Sequence, residues 1–176
     1  MGLGDSAMIL YFARGDSGGY GRWQWNLAFI IWHLSYRAGG VHLNIRESKL
    51  PSDKPLLYGI LDTGYVAEEE MLRVATQLLE GGVGVLQLRA KGHDADAVLS
   101  LMRNLLPDLP AMCREHGVPF VMNDFPEVAL AVAADGVHIG QDDGSLFDVR
   151  AVVGNEMLVG RSTHSVAQAQ AALAEG

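Results

Sequence analysis

The chain has 176 residues, about one domain's worth, and 49% of them are apolar, enough for a sizeable core. A formal net charge of −8 argues against a nucleic-acid-binding surface, which would carry a basic face, and means that an anionic ligand must be captured by a few placed cations. The single cysteine, Cys113, excludes an intramolecular disulfide and points to a reducing, cytoplasmic compartment, while the longest apolar run, LAFIIWHL at 27–34, falls far short of the ~18–20 residues of a membrane span.

Residues 1–54 carry a net charge of +2 and the remainder −10. All three tryptophans, Trp23, Trp25 and Trp32, fall within this first part, between the Gly-rich stretches ARGDSGGYGR and YRAGGVHLNIRESKLPSDK. Neither stretch sustains a helix or strand period. Residues 1–54 therefore read as an N-terminal extension, poorly ordered or loosely docked through one short apolar element. A membrane-surface or partner-binding segment is an alternative, as is a true start lying further downstream.

From Pro55 the pattern changes to short apolar runs alternating with helical patterns. LLYGIL (56–61) predicts a buried strand and AEEEMLRVATQLLEGG an amphipathic helix. In that helix Met71, Val74, Ala75, Leu78 and Leu79 share a face, acids fill the first turn, and Gly81 stands at the C-terminal cap. VGVLQL predicts a second strand, and residues 94–116 a helical pattern broken in two by Pro107 and Pro110. VPFVMN, GVHIG and MLVGRS predict three further strands, followed by helices through EVALAVAA, LFDVRAVV and SVAQAQAALAEG. Strands this apolar, separated by helices, pair in parallel and are covered on both faces. Cys113, in AMCREHG, reads as a buried helix thiol.

Four of these strands carry polar residues at their C-terminal ends. They are Gln87, Arg89 and Lys91; Asn123 and Asp124; His138, Gln141, Asp142 and Asp143; and Ser162, Thr163 and His164. Strand C-termini form the active face of a (β/α) barrel and the ligand crevice of an open doubly wound sheet. Residues two apart on a strand point the same way, so Gln87, Arg89 and Lys91 converge on one ligand group. Arg offers a planar fork of donors and Lys a point charge, a set suited to diphosphate. Asp124 and Asp143 are hard carboxylates of the kind that hold Mg²⁺ together with substrate phosphate oxygens.

Each of these residues also has a plainer reading. Arg89 and Lys91 could serve salt bridges, Asp124 could cap the next helix, and Asp143 could belong to a simple turn in QDDGS. His138, inside an apolar strand, reads as a packed, hydrogen-bonded core residue, with a catalytic role as the alternative. His164 could cap a helix or contact substrate. Ser162 shows no obvious histidine and carboxylate relay, so it is read as a hydrogen-bond donor to a phosphate oxygen, not as a nucleophile.

QLRAK, FVMND, ADGVHIGQDD and GRSTHS, in this order and spacing, resemble thiamine phosphate synthase (thiamine-phosphate pyrophosphorylase) over about residues 56–176. The resemblance implies an α/β chain of the (β/α)₈ TIM-barrel type, with only the first five βα units present, over residues 55–176. It implies a transferase that joins an aminopyrimidine methyl diphosphate to a thiazole phosphate carboxylate, releasing diphosphate. Carried over, Gln87, Arg89, Lys91 and Asn123 hold the pyrimidine diphosphate, Ser162 contacts the pyrimidine substrate, and Asp124 and Asp143 bind Mg²⁺. Relatives acting as thiazole tautomerases share the barrel without the coupling reaction. The pentapeptide departs from the family in Ala90, where Glu is frequent.

The 122 residues from Pro55 to Gly176 fall short of the roughly 200 that eight units need. The expectation is therefore a partial barrel that is inactive alone and prone to homo-oligomerise through bare strand edges. A non-catalytic barrel fragment is the alternative.

Overall fold

The alternation of apolar runs and helical patterns becomes, in the computed structural model, strands and helices in strict succession. The structure describes residues 10–11, 29–33 and 57–175. The strands are β1 (Leu10–Tyr11), β2 (Phe29–His33), β3 (Leu57–Asp62), β4 (Val85–Arg89), β5 (Phe120–Asn123), β6 (Gly136–Ile139) and β7 (Leu158–Thr163). The helices are α1 (Met71–Glu80), α2 (Ala95–Asn104), α3 (Leu109–Glu115), α4 (Pro126–Ala131), α5 (Leu146–Val153) and α6 (Val166–Glu175). The Gly-rich stretches 13–22 and 36–54, with Trp23 and Trp25, lie outside the described residues.

Strands β3 to β7 are neighbours in chain order and pair in parallel, and each is followed by helix. This is the α/β arrangement expected of five consecutive βα units. The N-terminal part contributes two strands at the sheet's flanks. Residues of β1 pair in parallel with Leu57–Tyr58 of β3, and β2 runs antiparallel to β7, with Ile30 opposite Ser162. Pairing of this kind satisfies backbone groups that an open edge would leave bare.

Registered partners in a sheet point to the same side, and here that rule sorts the chemistry. One face carries Leu61 of β3, Leu86 and Leu88 of β4, Phe120 and Met122 of β5, and Val137 and Ile139 of β6. All of them are at most 1% exposed. They pack with Met71, Ala75, Val98, Leu109, Cys113, Val128 and Val149 of the helices into one core cluster. Each fully buried side chain of this size contributes about 1.5–3 kcal/mol. The other face carries the polar set described below.

Local boundaries differ from the sequence reading where capping decides them. Glu68–Glu70, expected in the first turn of α1, form a separate 3-10 turn, and the α-helix starts at Met71. Gly81 is the cap, but the residue in left-handed conformation is Gly82, φ 82°, the position where glycine costs least. The break between α2 and α3 falls before Pro107, and Pro110 lies inside the first turn of α3, where a missing N–H leaves no bond unmade.

Cys113 is fully buried in α3, and burial pushes its thiol up to about 12. The thiolate is the reactive form, so the folded chain should resist alkylation by iodoacetamide at pH 8 and label fully in denaturant. Rapid labelling of the native chain would contradict the burial.

Candidate active site

The strand register sets Asp62 opposite Arg89 and Ile60 opposite Gln87, while Asn123 lies opposite His138, which in turn lies opposite Gly160. With the alternation of side chains along a strand, this brings Asp62, Gln87, Arg89, Asn123, His138 and Ser162 to one face. A cavity of ≈ 540 Å³ opens there, lined by all six together with Tyr58, Lys91, Asp124, Gly140 and Asp143. Every residue that the family resemblance assigns to substrate or metal therefore meets at one cavity. Asp142 and His164 do not line it. The His164 backbone N–H instead donates to Gln168 Oε1 of α6, 2.7 Å.

Gln87 is buried inside the sheet and used at both ends of its amide. The Tyr58 hydroxyl donates to Gln87 Oε1 at 2.6 Å, and Gln87 Nε2 donates to Asn123 Oδ1 at 2.7 Å. The chain of bonds orients both amides. Because Asn123 accepts through its oxygen, its NH₂ group is left as the donor. Gln87 keeps one further N–H.

Arg89 ends β4 and pairs with the carboxylate of Asp62. Lys91 lies beyond the strand, in the turn that follows, so it does not extend the alternation expected from QLRAK. It still lines the cavity, and none of the ion pairs among the described residues involves it. Asp62 was not singled out from the sequence. The signal was present, since LLYGIL is followed by an acid at the strand's C-terminal end, where the other strands carry their polar residues.

Asp124 does not cap α4; Phe125 holds that position, with no side-chain cap bond. Asp124 instead adopts a left-handed backbone, φ 68°, and its N–H donates to the His138 carbonyl at 2.8 Å. Its carboxyl is pushed up to about 6, first by burial, then by the charge of Asp143 and a hydrogen bond shared with that carboxyl; Lys91 and Arg89 pull the other way. Asp143 Oδ2 accepts the N–H of Gly140 at 2.7 Å. A Cβ at residue 140 would lie 2.5 Å from that oxygen, so only glycine lets the carboxylate fold back against the strand end. Two carboxylates held face to face repel unless a proton or a cation sits between them, and their hard oxygens fit Mg²⁺. Among the described residues no group of three or more His, Cys, Asp or Glu is arranged to hold a metal, so such an ion would draw its other ligands from substrate and water.

His138 is 3% exposed, and burial pushes its imidazole down to about 4, against an opposing pull from Asp143. Its Nε2 lies 2.9 Å from Ser162 Oγ, a partner that the sequence, reading no histidine relay for Ser162, did not reveal. An imidazole that titrates so low is a poor base at neutral pH. The contact therefore positions the Ser162 hydroxyl and does not activate it. The loop beyond β6 is tied to β7 as well, through Gln141 Nε2 to the Ser162 carbonyl and Arg161 to the Gln141 carbonyl, 3.0 Å.

These shifts have opposite signs in stability. The unfolded chain takes up a proton at histidine near 6.5 and folded His138 only near 4, so His138 costs stability as pH falls through that window, up to ~3 kcal/mol. Asp124 keeps a proton up to about 6 that the unfolded chain gives up near 3.8, so its contribution is lost as pH rises through that window. The two slopes oppose each other between pH 4 and 6. Asp124→Asn should therefore steepen the loss of stability on acidification, read as urea midpoints across pH 4–7. Parallel curves for the two proteins would contradict the assignment.

The sequence profile of the family described as thiamine monophosphate synthase matches residues 57–176. A thiamine-phosphate synthase of Bacillus mycoides is 41% identical over 108 residues, covering 61% of this chain and 48% of the relative. One of Roseiflexus castenholzii is 39% identical over 126 residues, covering 72% and 54%. The chain thus spans about half the length of the curated relatives it matches. Among solved structures, a thiamine phosphate pyrophosphorylase from Pyrococcus furiosus superposes with a TM-score of 0.57 at 30% identity, covering 68% of this chain and 55% of that one.

Proposed function

Because the chain belongs to the thiamine monophosphate synthase family, we propose that its cavity binds an aminopyrimidine methyl diphosphate and promotes release of its diphosphate as the pyrimidine methyl carbon bonds to the nitrogen of a thiazole phosphate. The observation that carries this reading is the Asp124–Asp143 carboxyl pair set beside Lys91 and Arg89 on one cavity wall. Acids that face each other next to cations suit a ligand that brings both a metal and a polyanion.

In this reading Lys91 and the free edge of the Arg89 guanidinium bind the diphosphate. Asn123 adds the N–H donors left over by its bond to Gln87, and Gln87 its remaining N–H. Asp124 and Asp143 would hold Mg²⁺, which when bound would offset charge on the departing group. Donors fixed before the reaction, in a half-buried wall, stabilise developing charge without having to reorganise. Ser162, oriented by neutral His138, contacts the pyrimidine. No step calls for a protein nucleophile, because the electron-rich pyrimidine itself supports the carbon that loses diphosphate. A cytoplasmic setting fits this reading, and no described helix is long and apolar enough to cross a membrane.

The test is to incubate the chain with both substrates and Mg²⁺, following thiamine phosphate and released diphosphate. Metal-dependent formation of both supports the proposal. Failure of the chain to bind the pyrimidine diphosphate in the presence of Mg²⁺ overturns it.

A further inference from the structure

Asp62 is an acid in a cavity read as an anion site, and its placement calls for a reason. The residue is 6% exposed and both carboxylate oxygens are engaged: Oδ1 accepts the Gly64 N–H at 2.8 Å, and Oδ2 takes the Arg89 guanidinium. The turn after β3 holds the residue from the other side. The Asp62 carbonyl accepts the N–H groups of Tyr65, 3.0 Å, and Val66, 2.9 Å, while the Arg89 carbonyl accepts that of Thr63, 3.0 Å. Asp62 is thus a rigid group, and Arg89 is the side chain it constrains. Arg89 is still one-third exposed, at 33%, and lines the cavity.

Asp62 is not the sole carboxylate among the described residues lining the cavity that Arg89 faces. Asp124 and Asp143 line the same cavity wall as Arg89, and the Arg89 charge favours the ionised form of Asp124. A guanidinium released from Asp62 would turn onto that pair, occupying the metal ligands and withdrawing its donors from the cavity.

We infer that Asp62 is a positioning residue, which holds the Arg89 fork open to the cavity and off the Asp124–Asp143 pair so that an incoming diphosphate meets donors already aimed. The inference rests on the reading of the cavity as a diphosphate site. Two plainer roles have different signatures. An acid that merely neutralised Arg89 would hinder anion binding, so removing it would tighten diphosphate. An acid that merely pinned two strand ends would affect thermal stability and leave affinity alone. Positioning requires weaker binding, and only while Arg89 is present.

The experiment is calorimetric titration of the full chain with inorganic diphosphate and Mg²⁺, alongside Asp62→Asn, Asp62→Glu, Arg89→Gln and the Asp62→Asn/Arg89→Gln double variant. Asp62→Asn should weaken binding roughly tenfold, the scale of one charge-assisted hydrogen bond, and Asp62→Glu should recover most of the loss. In the Arg89→Gln background the same Asn substitution should change affinity by less than about twofold, since coupled residues are not additive. Equal or tighter binding by Asp62→Asn overturns the inference, as does an undiminished loss when Arg89 is already gone. Should Asp62→Asn fail to fold, Arg89→Lys decides the matter. An ammonium that satisfies Asp62 has no second edge to offer, so binding should fall by a similar factor, and unchanged binding overturns the inference. Absence of diphosphate binding by the unaltered chain removes the underlying reading and this inference with it, whereas binding without the Asp62 dependence removes the inference alone.

Discussion

In a complete version of the protein, one that turns over both substrates, Asp124→Ala is expected to lower Mg²⁺-dependent diphosphate release by about 10³-fold, the upper range for removing one preorganised charge-stabilising group. The substitution removes one of the two carboxylates that face each other in the cavity, and it frees Lys91 and Arg89 from the acid they flank. Asp124 sits at φ 68°, where alanine is strained and asparagine is tolerated. Asp124→Asn should therefore lose the metal response with a smaller loss of stability than Asp124→Ala. Release rates across a Mg²⁺ titration, with thermal midpoints for both variants, separate the two effects. Turnover that survives with undiminished metal affinity would show that Asp124 is not a ligand.

The second large effect is expected at a residue with no side chain. Gly140→Ala places a methyl carbon 2.5 Å from Asp143 Oδ2 and 3.5 Å from its Cγ. The carboxylate must rotate out of its bond with the Gly140 N–H and away from Asp124. Losing such support for a ligand typically costs 10–100-fold in metal affinity. Gly140 lies half-buried just beyond the end of β6, outside the packed core, so the thermal midpoint should move little. Mg²⁺ affinity measured by calorimetry checks this. An unchanged affinity would mean that Asp143 does not need its present orientation to bind metal.

Much of the fold was legible because its causes are local. LLYGIL, VGVLQL, VPFVMN and GVHIG are apolar runs bounded by helical patterns, and a strand buried on both faces needs nothing more to be recognised. LFDVRAVV matched α5 residue for residue, since Ser145 caps it by accepting the Asp148 N–H at 3.0 Å and Gly154 ends it. The acids ahead of α1 were misplaced by one turn because the choice between a 3-10 turn and an α-helix depends on how the chain leaves β3.

The candidate site divides along the same line. Sequence alone marked Gln87, Arg89, Lys91, Asn123, Asp124, Asp143 and Ser162 as polar residues at the ends of apolar runs, and a parallel sheet gathers those ends on one side, so they line one cavity; Gln141, Asp142, Thr163 and His164, marked by the same signal, do not. What the sequence could not determine is which of these groups touch. Asp62 and Arg89 are 27 residues apart and His138 and Ser162 are 24 apart, and only the strand register brings each pair together. The left-handed backbone at Asp124 likewise goes with a contact across strands, its N–H reaching the His138 carbonyl, whereas the close approach of Asp143 to Gly140 closes within one turn of three residues. Period and polarity act over one strand or one helical turn, so they are written in the residues themselves; register, burial and charge coupling exist only once the strands lie side by side.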